Sequence, residues 1–235
     1  RPEPPEDEAR QSAGRCGRVH PPVDEPGDEG QEPEQGTGDD IGMDAGFFSW
    51  QGDSSIMLAM VKLLEDSMNA EHDVNELGVQ CIIMVEDSVR YYSSYLPVMY
   101  ETLIRQARNA MTEGLNEWQQ TIRMRSRPKI LLARNFDEAI KLYEKYKNNL
   151  LGVISDVAYM KDGRTDPEAG FALCRHIRAE NRNIPILLQS SESSKKDEAA
   201  IHGADFLYKQ TKTLLKELEA YIKTNYGFGD FTFIE

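Results

Sequence analysis

Short apolar runs alternate with amphipathic helical patterns from residue 79 to residue 224, and this alternation constrains the fold more than any other feature. Five runs have strand length: 79–85, 129–133, 152–155, 184–189 and 206–208. Runs of this kind are typical of strands buried on both faces. Helical patterns at 88–127, 136–146, 170–180, 195–202 and about 211–224 follow them. The order predicts an α/β fold with a doubly wound, five-stranded parallel sheet of the flavodoxin-like type.

Charged residues follow three of the predicted strands. Glu86 and Asp87 come after the first strand, Asp156 after the third and Lys209 after the fifth. Ligands of open parallel sheets bind outside the carboxyl ends of the strands. Carboxylate oxygens at such a place suit Mg²⁺, and a lysine can meet a phosphoryl group as a point charge. The pattern predicts a site for phosphoryl chemistry on an aspartate.

The charge balance and the cysteines limit the partners and the compartment. The formal net charge is -13, of which twelve Asp/Glu against four Arg in residues 1–40 account for -8. Binding to nucleic acid or to an anionic membrane depends on clustered Lys and Arg, so we expect neither. No apolar stretch reaches 18 residues, so we expect no membrane span. Cys16, Cys81 and Cys174 lack metal-ligand spacing, which favours free thiols and a cytoplasmic location.

Composition divides the chain into four parts. Residues 1–45 are acidic and rich in proline and glycine, and we expect them to be disordered. Residues 46–78 read as a strand, a helix over about 54–70 capped by Asp53, and a connector. The main domain should cover 79–225. Residues 226–235 read as a linker towards a further module.

The helical pattern over 88–127 is unusually long. A continuous helix there would be on the order of 55–60 Å long, with a kink or break expected at Pro97 or Gly114. One small sheet cannot bury the whole apolar stripe of such a helix. Its distal half should therefore pack against another helix, in this chain or in a second copy, which makes it a candidate homodimer contact.

The strand-end residues resemble the motifs of response-regulator receiver domains. The acidic pair stands in MVEDS at 84–88, the aspartate in VISDV at 153–157, and the lysine in HGADFLYK at 202–209. A hydroxyl position matches Ser190, five residues after Pro185, and a switch aromatic matches Phe206, three residues before the lysine. The resemblance covers about 79–224, and the four motifs occur in the family's order.

The resemblance implies a receiver fold and a Mg²⁺-dependent phosphoacceptor. Asp156 would accept a phosphoryl group from a histidine kinase or a small phosphodonor. Mg²⁺ would be held by Asp87, Asp156 and the backbone carbonyl of Ala158, with Glu86 assisting through a water molecule. A receiver domain is a regulatory module, so the resemblance implies no enzyme activity for this chain alone.

The same resemblance assigns the remaining site residues. Lys209 would pair with the phosphoryl group, Ser190 would donate a hydrogen bond to it, and Phe206 would switch between two positions. The residues themselves leave alternatives open. Ser190 could be a helix N-cap and Phe206 ordinary packing. Tyrosines 91, 92 and 95 indicate helix packing more than a ligand cage.

A narrower resemblance concerns what the domain regulates. EDSVRYYSSYL at 86–96, NLLGVISDV at 149–157 and YGFGDF at 226–231 look like receiver domains that precede a phosphoenolpyruvate synthase or pyruvate phosphate dikinase-like enzyme in bacterial polypeptides. Residues 47–73 are similar to the end of an earlier receiver-like domain there. The resemblance implies that the chain is a fragment, with phosphoenolpyruvate-utilising catalytic domains as partners in cis or in trans.

Several departures from the receiver pattern support an alternative function. The segment between the acidic pair and Asp156 is long, the loop 157–167 is expanded, Met160 replaces a proline and Gln210 replaces another. A pseudo-receiver that is never phosphorylated and dimerises through its long helix would tolerate these changes. A haloacid-dehalogenase-like hydrolase would need an aspartate where Ala158 stands, so it ranks last.

Overall fold

The computed structural model describes residues 47–50, 52–112 and 127–226. Among these residues there are seven strands: β1 (Cys81–Val85), β2 (Lys129–Ala133), β3 (Leu150–Asp156), β4 (Tyr159–Lys161), β5 (Arg164–Asp166), β6 (Ile186–Ser190) and β7 (Asp205–Tyr208). The described α-helices are α1 (Ser55–Asn75), α2 (Val89–Thr112), α3 (Phe136–Tyr146), α4 (Ala169–Glu180), α5 (Lys195–Ile201) and α6 (Leu214–Asn225). The predicted disorder of 1–45 concerns residues outside the described ranges.

Five of these strands form one parallel sheet in the order β2-β1-β3-β6-β7. This is the 2-1-3-4-5 order of a flavodoxin-like fold, so the predicted fold class is confirmed. The five predicted strands and the helices from 136 onwards lie within three residues of their expected bounds. The agreement follows from the patterns, because strands of a covered parallel sheet are apolar throughout.

Two hydrophobic clusters cover the two faces of the sheet. Helices α3, α4 and α5 contribute to one cluster, and α2 and α6 to the other. Helix α1 contributes to both, with Ala59 in one cluster and with Ala70 and Val74 in the other. Its contacts with β2 and α2 place it against the β2 edge of the sheet. Covering an edge strand in this way keeps its backbone from pairing with other chains.

The expanded loop after β3 folds into an antiparallel hairpin that the sequence reading missed. Strands β4 and β5 pair across a turn in which Asp162 has φ 51° and Gly163 has φ 74°. Asp-Gly is the residue pair that such turns favour, since both central residues need positive φ. Strands of three residues carry too little hydrophobic pattern to be predicted, so the Asp-Gly pair indicates only a turn.

Helix α1 is longer than predicted and belongs to the same packed unit as the sheet. It ends at Asn75 instead of about residue 70, because Ala70 and Val74 continue its buried stripe. The N-cap position belongs to Ser54 and not to Asp53, but the Asp53 side chain still accepts a hydrogen bond from the Ser55 N–H at 3.0 Å. Residues 47–50 form no strand. The origin of 46–78 in a preceding domain stays a prediction.

Helix α2 accounts for the first part of the predicted long helix. At 24 residues it is about 36 Å long, and Pro97 lies within it. From Val89 to Asn109 it exposes no large apolar side chain, since its stripe packs on the sheet, α1 and α6. Residues 113–126, the distal half of the prediction, lie outside the described ranges.

The C-terminal boundary and the question of a membrane span can also be compared with the described chain. Tyr226 is fully buried, and its hydroxyl donates to the Val153 carbonyl at 3.3 Å, so the packed domain includes it. Residues 227–235, most of the predicted linker, lie outside the description. No described helix combines the length and the apolar character needed to cross a bilayer.

Candidate functional site

The carboxyl ends of β1, β3 and β7 bring four charged side chains together. Glu86 and Asp87 follow β1 directly, Asp156 is the last residue of β3, and Lys209 follows β7. Parallel pairing of these strands through β6 puts their ends at one edge of the sheet. One carboxylate oxygen from each of the three acids lies within 4.8 Å of those of the other two.

Lys209 is the cation at the centre of this cluster. Its Nζ donates to Glu86 Oε2 at 2.7 Å and to Asp156 Oδ2 at 2.6 Å. The ammonium also lies 4.3 Å from the centre of the Tyr91 ring, close enough for a cation–π contact. Lys209 and Glu86 are buried, whereas the Asp156 side chain is 14% exposed. The aspartate is therefore the member of the Lys209 contacts that an incoming group can reach.

Burial and repulsion from a neighbouring carboxylate make Glu86 and Asp87 hard to ionise. Burial, opposed by Lys209 and reinforced by Asp156, raises the pKa of Glu86 to about 7. Burial and the Asp156 charge also raise the pKa of Asp87. Burial alone would lower the pKa of Lys209, but Glu86 and Asp156 outweigh it and hold that pKa above its usual value. Three carboxylates against one ammonium leave two negative charges to be balanced.

The donor set fits a divalent hard cation. Glu86, Asp87 and Asp156 offer oxygens only, which is the ligand chemistry that Mg²⁺ requires. A charge of +2 would offset the excess negative charge of the cluster. Ala158, whose carbonyl the sequence reading added to the set, lies exposed in the turn between β3 and β4. These residues could hold Mg²⁺, and Asp87 and Ala158 face solvent.

Backbone groups orient the Asp156 carboxylate. The Val157 N–H donates to Asp156 Oδ1 at 2.7 Å, while Lys209 occupies Oδ2. The Ser155 hydroxyl donates to the Asp156 carbonyl at 2.7 Å. Each carboxylate oxygen thus has a defined partner, and the side chain has a defined direction. The spacing of the sequence motif indicated the aspartate but none of these supporting contacts.

The structure places Ser190 at the end of β6, beside the cluster. It is buried, and its carbonyl accepts the Lys209 N–H at 2.8 Å. Its hydroxyl accepts the Glu192 N–H at 3.1 Å. The N-cap position of α5 belongs to Ser194, so Ser190 is not the cap of that helix. The backbone bond places Ser190 beside the lysine that contacts Asp156.

The aromatic residues divide into core and site. Phe206 lies on β7, opposite Leu188 of β6. It is half-buried and packs against the hydrophobic cluster to which α3, α4 and α5 contribute. Tyr92 and Tyr95 are buried in the core, as the packing interpretation predicted. Tyr91 is half-buried and instead covers Lys209. The sequence reading treated the three tyrosines as one group and missed this difference.

Gly170 is a second residue that the sequence reading missed. A Cβ at this position would lie 2.3 Å from the Asp156 carbonyl oxygen and 2.8 Å from the Val157 Cα. The Gly170 N–H donates to the Val157 carbonyl at 2.9 Å. The start of α4 can therefore approach the site backbone only without a side chain. A helical glycine in a sequence gives no sign of which backbone it touches.

Comparison with known proteins gives structural matches alone. No protein-family model and no curated protein sequence matches the chain. A receiver-domain protein from Clostridium thermocellum is 15% identical with TM-score 0.41, over 63% of this chain and 94% of that chain. The HemR receiver domain of Leptospira biflexa is 18% identical with TM-score 0.39, over 66% and 99%. At these values the likenesses carry no argument about family or activity.

A third structure is described as a complex containing beryllofluoride and magnesium. It is the CheX–CheY–BeF3–Mg complex from Borrelia burgdorferi, matched at 16% identity and TM-score 0.42 over 66% of this chain and 97% of that chain. Its ligands belong to that protein. The chemistry of the present chain has to be argued from its own strand-end cluster.

Proposed function

We propose that this domain is a Mg²⁺-dependent phosphoacceptor of the receiver type, with Asp156 as the residue that is phosphorylated. The observation that carries the proposal is the double contact of Lys209 Nζ with Glu86 and Asp156, at 2.7 and 2.6 Å, beside a third carboxylate. Burying a lysine between acids costs desolvation free energy. Buried charged groups of this kind are concentrated at functional sites.

The chemistry assigned to Asp156 is nucleophilic. A carboxylate oxygen of Asp156 attacks the phosphorus of a phosphohistidine or of a small phosphodonor such as acetyl phosphate. The bond from phosphorus to the donor breaks, and its electron pair leaves with the donor group. The product is an aspartyl phosphate, an acyl phosphate of the kind formed by carboxylate nucleophiles.

The neighbours of Asp156 serve this step. The Lys209 Nζ lies 2.6 Å from Asp156 Oδ2. It can therefore pair with an oxygen of a phosphoryl group on Asp156 after only a small movement. Ser190, the last residue of the neighbouring strand β6, would donate its hydroxyl to the phosphoryl group. Bound Mg²⁺, held by Asp87, Asp156, the Ala158 carbonyl and Glu86 through a water molecule, would neutralise charge on the transferring group.

The regulated output that we propose is a phosphoenolpyruvate- or pyruvate-utilising catalytic domain, attached in cis or bound in trans. The support is the resemblance of residues 86–96, 149–157 and 226–231 to receiver domains of such polypeptides. The natural polypeptide that contains this sequence should change its rate of phosphoenolpyruvate formation when Asp156 is phosphorylated. An equal rate with and without phosphorylation would remove this part of the proposal.

Intact-mass spectrometry tests the phosphoacceptor. Wild type, Asp156→Asn and Asp162→Asn are incubated with acetyl phosphate, with and without Mg²⁺. Wild type should gain one phosphoryl mass only with Mg²⁺, and Asp156→Asn should gain none. Asp162 is exposed in the hairpin turn at positive φ, which asparagine also tolerates, so Asp162→Asn is a matched control that should behave as wild type.

Beryllofluoride separates a slow donor from a missing site. It binds carboxylates as a phosphoryl mimic, so a receiver that acetyl phosphate does not serve should still bind it with Mg²⁺. The absence of both a phosphoryl adduct and Mg²⁺-dependent beryllofluoride binding in wild type would refute the proposal that the domain is a phosphoacceptor. The domain would then be a pseudo-receiver.

A further inference from the structure

Helix α1 carries an apolar seam on its outward face. We use the name α1 seam for Met57, Val61, Leu64 and Met68, whose exposed fractions are 58%, 61%, 41% and 61%. Leu58 and Met60 flank it and are 36% and 40% exposed. Within the described ranges, each of the other helices exposes at most one large apolar side chain. An exposed apolar surface of this size is unusual for a surface that faces only water.

The opposite face of α1 is held firmly in its own domain. Asp66 is fully buried and accepts from both Arg127 terminal nitrogens, at 2.6 and 2.9 Å. It also accepts from the Tyr100 hydroxyl at 3.0 Å and from the Ile130 N–H at 2.9 Å. The helix is therefore tied to α2 and to the edge strand β2. The seam is presented on a fixed helix and cannot turn inward without breaking this network.

The spacing of the seam is that of a helix pair. Its members lie four, three and four residues apart, which is the d-a-d-a alternation of a coiled-coil heptad. Because this spacing reads the same in both directions, the seam is complementary to itself when a second copy runs antiparallel. Met57 then faces Met68 of the partner subunit, and Val61 faces Leu64 of the partner subunit. Such self-complementarity is the requirement for a two-fold interface.

We propose that α1 forms an antiparallel, two-fold homodimer contact with a second copy of this chain through the α1 seam. The antiparallel direction follows from the spacing of the seam, which pairs Met57 with Met68 and Val61 with Leu64 across a two-fold axis. Charge at the end of α1 does not oppose this, because Glu71 pairs with Lys145 and Asp73 with Lys129 within the same domain.

The exposed area sets the strength of this contact. Six apolar side chains per copy, exposed by 36–61%, offer on the order of 1,000 Å² over two copies, which is near the lower limit for a specific interface. Charge does not oppose pairing at the centre of the seam, because Lys62 and Glu65 form an ion pair within the helix. The dimer should therefore be concentration-dependent, with dissociation in the micromolar range.

This surface differs from the dimer contact that the sequence predicted at 88–127. The described part of α2 has its apolar stripe inside the domain, so it has nothing comparable to offer a partner. Helix α1 comes before the sheet, and its seam lies on the helix face opposite Asp66. Dimerisation through it does not depend on phosphorylation of Asp156, and either proposal can fail alone.

Sedimentation velocity over a range of concentrations tests the dimer. Wild type should shift from monomer to dimer as concentration rises. Val61→Lys with Leu64→Lys should raise the dissociation constant at least tenfold. Ile201→Lys with Leu215→Lys adds the same charge at exposed apolar positions elsewhere and should leave dimerisation unchanged. Circular dichroism and Mg²⁺ binding verify that the seam variant is folded.

Disulfide trapping tests the direction of pairing. A mixture of Met57→Cys and Met68→Cys chains should form a covalent dimer under mild oxidation, and each variant alone should not. The same-position pairs are about 16 Å apart along an antiparallel pair. A monomer at every concentration, a dimer that survives the seam lysines, or same-position disulfides in each single variant would overturn the proposal.

Discussion

Lys209 and its carboxylate neighbours show at the scale of single residues what the sheet edge imposes. The ammonium contacts two acids that lie far from it in the chain, since Asp156 precedes Lys209 by 53 positions and Glu86 precedes it by 123. Asp87 is the third carboxylate of the cluster, and its charge could be balanced by a bound cation. Tyr91 covers the lysine from the side of α2. The lysine therefore holds the cluster together, and in the proposed function it would pair with the phosphoryl group.

Removal of this ammonium should destabilise the fold and slow phosphorylation. Lys209→Met keeps most of the side-chain length but leaves Glu86 buried without its partner, which costs about 3 kcal/mol in the free energy of unfolding. Urea unfolding measures the loss, and the rate of phosphoryl gain measures the effect on chemistry. Lys216→Met, on an exposed position of α6, is the control and should change neither. Equal stability of Lys209→Met and wild type would contradict the buried-pair argument.

The raised pKa of Glu86 predicts how Mg²⁺ binding depends on pH. A metal site needs ionised carboxylates, and Glu86 with a pKa of about 7 is mostly protonated at pH 6 and mostly ionised at pH 8. Mg²⁺ affinity should therefore rise roughly tenfold from pH 6 to pH 8. Isothermal titration calorimetry at the two pH values measures it.

The control for this dependence is Glu86→Gln, which cannot ionise. Its Mg²⁺ affinity should be weaker than that of wild type at pH 8 and nearly flat between pH 6 and pH 8. A wild-type affinity that is equally flat would show that Glu86 does not control the site.

At the scale of elements, the start of α4 determines the shape of the backbone beside Asp156. The helix touches the site through Gly170, whose missing side chain allows a close backbone approach. The hairpin β4–β5 connects β3 to this helix. The position of Asp156 therefore depends both on β3, which ends at this residue, and on the start of α4, which packs against its backbone.

Gly170→Ala should disturb the site from this element. The added Cβ would lie 2.3 Å from the Asp156 carbonyl oxygen, and backbone cannot yield cheaply. We expect a loss of about 1–3 kcal/mol in the free energy of unfolding, together with slower phosphorylation. Chemical denaturation and intact-mass kinetics measure the two effects. The control is Glu168→Ala, at an exposed position two residues earlier, which should match wild type in stability and in phosphorylation rate. If Gly170→Ala also left both quantities unchanged, the close backbone approach would be refuted.

Helix α1 depends on one buried carboxylate. Asp66→Asn keeps the shape of the side chain but leaves the buried Arg127 guanidinium with only the more distant Glu65, at 3.9 Å, as a counter-charge. We expect a cost of about 3 kcal/mol in unfolding free energy. Thermal or urea unfolding measures it. The neighbouring Glu65→Gln, at a partly exposed position, should cost less than 1 kcal/mol. Equal effects of the two variants would contradict the anchoring role of Asp66.

At the scale of the whole molecule, the site lies at the carboxyl ends of the strands of a sheet whose two faces are both covered by helices. Residues that close the site come from β1, β3, β6, β7 and α2, so the intact fold is needed to bind a ligand there. A ligand that binds the folded state alone must stabilise the whole domain.

Mg²⁺ with beryllofluoride should therefore raise the resistance of the domain to unfolding. At a ligand concentration of about 100 times the dissociation constant, the gain is about 2.7 kcal/mol. Denaturant titration with and without the ligands measures it. Asp156→Asn should lose the beryllofluoride increment, while Asp162→Asn keeps it. An equal increment in Asp156→Asn would place the ligand elsewhere.

Much of this architecture was predictable because the pattern of a covered parallel sheet is local. Apolar runs at 129–133 and 184–189 have the length typical of buried strands, and the helix at 136–146 has clear amphipathic spacing. The strand-end position of Glu86, Asp87, Asp156 and Lys209 followed from the same pattern. The β4–β5 hairpin was missed because its strands are too short to show a period.

The fold class and the residues at the strand ends can be predicted from sequence, since both depend on patterns that neighbouring residues display. Tertiary structure alone decided the contacts across elements. These are the pairing of Lys209 with two acids, the cover by Tyr91, the approach of Gly170 and the burial of Asp66 under Arg127. Such contacts join residues far apart in the chain, and their distances depend on how the layers pack.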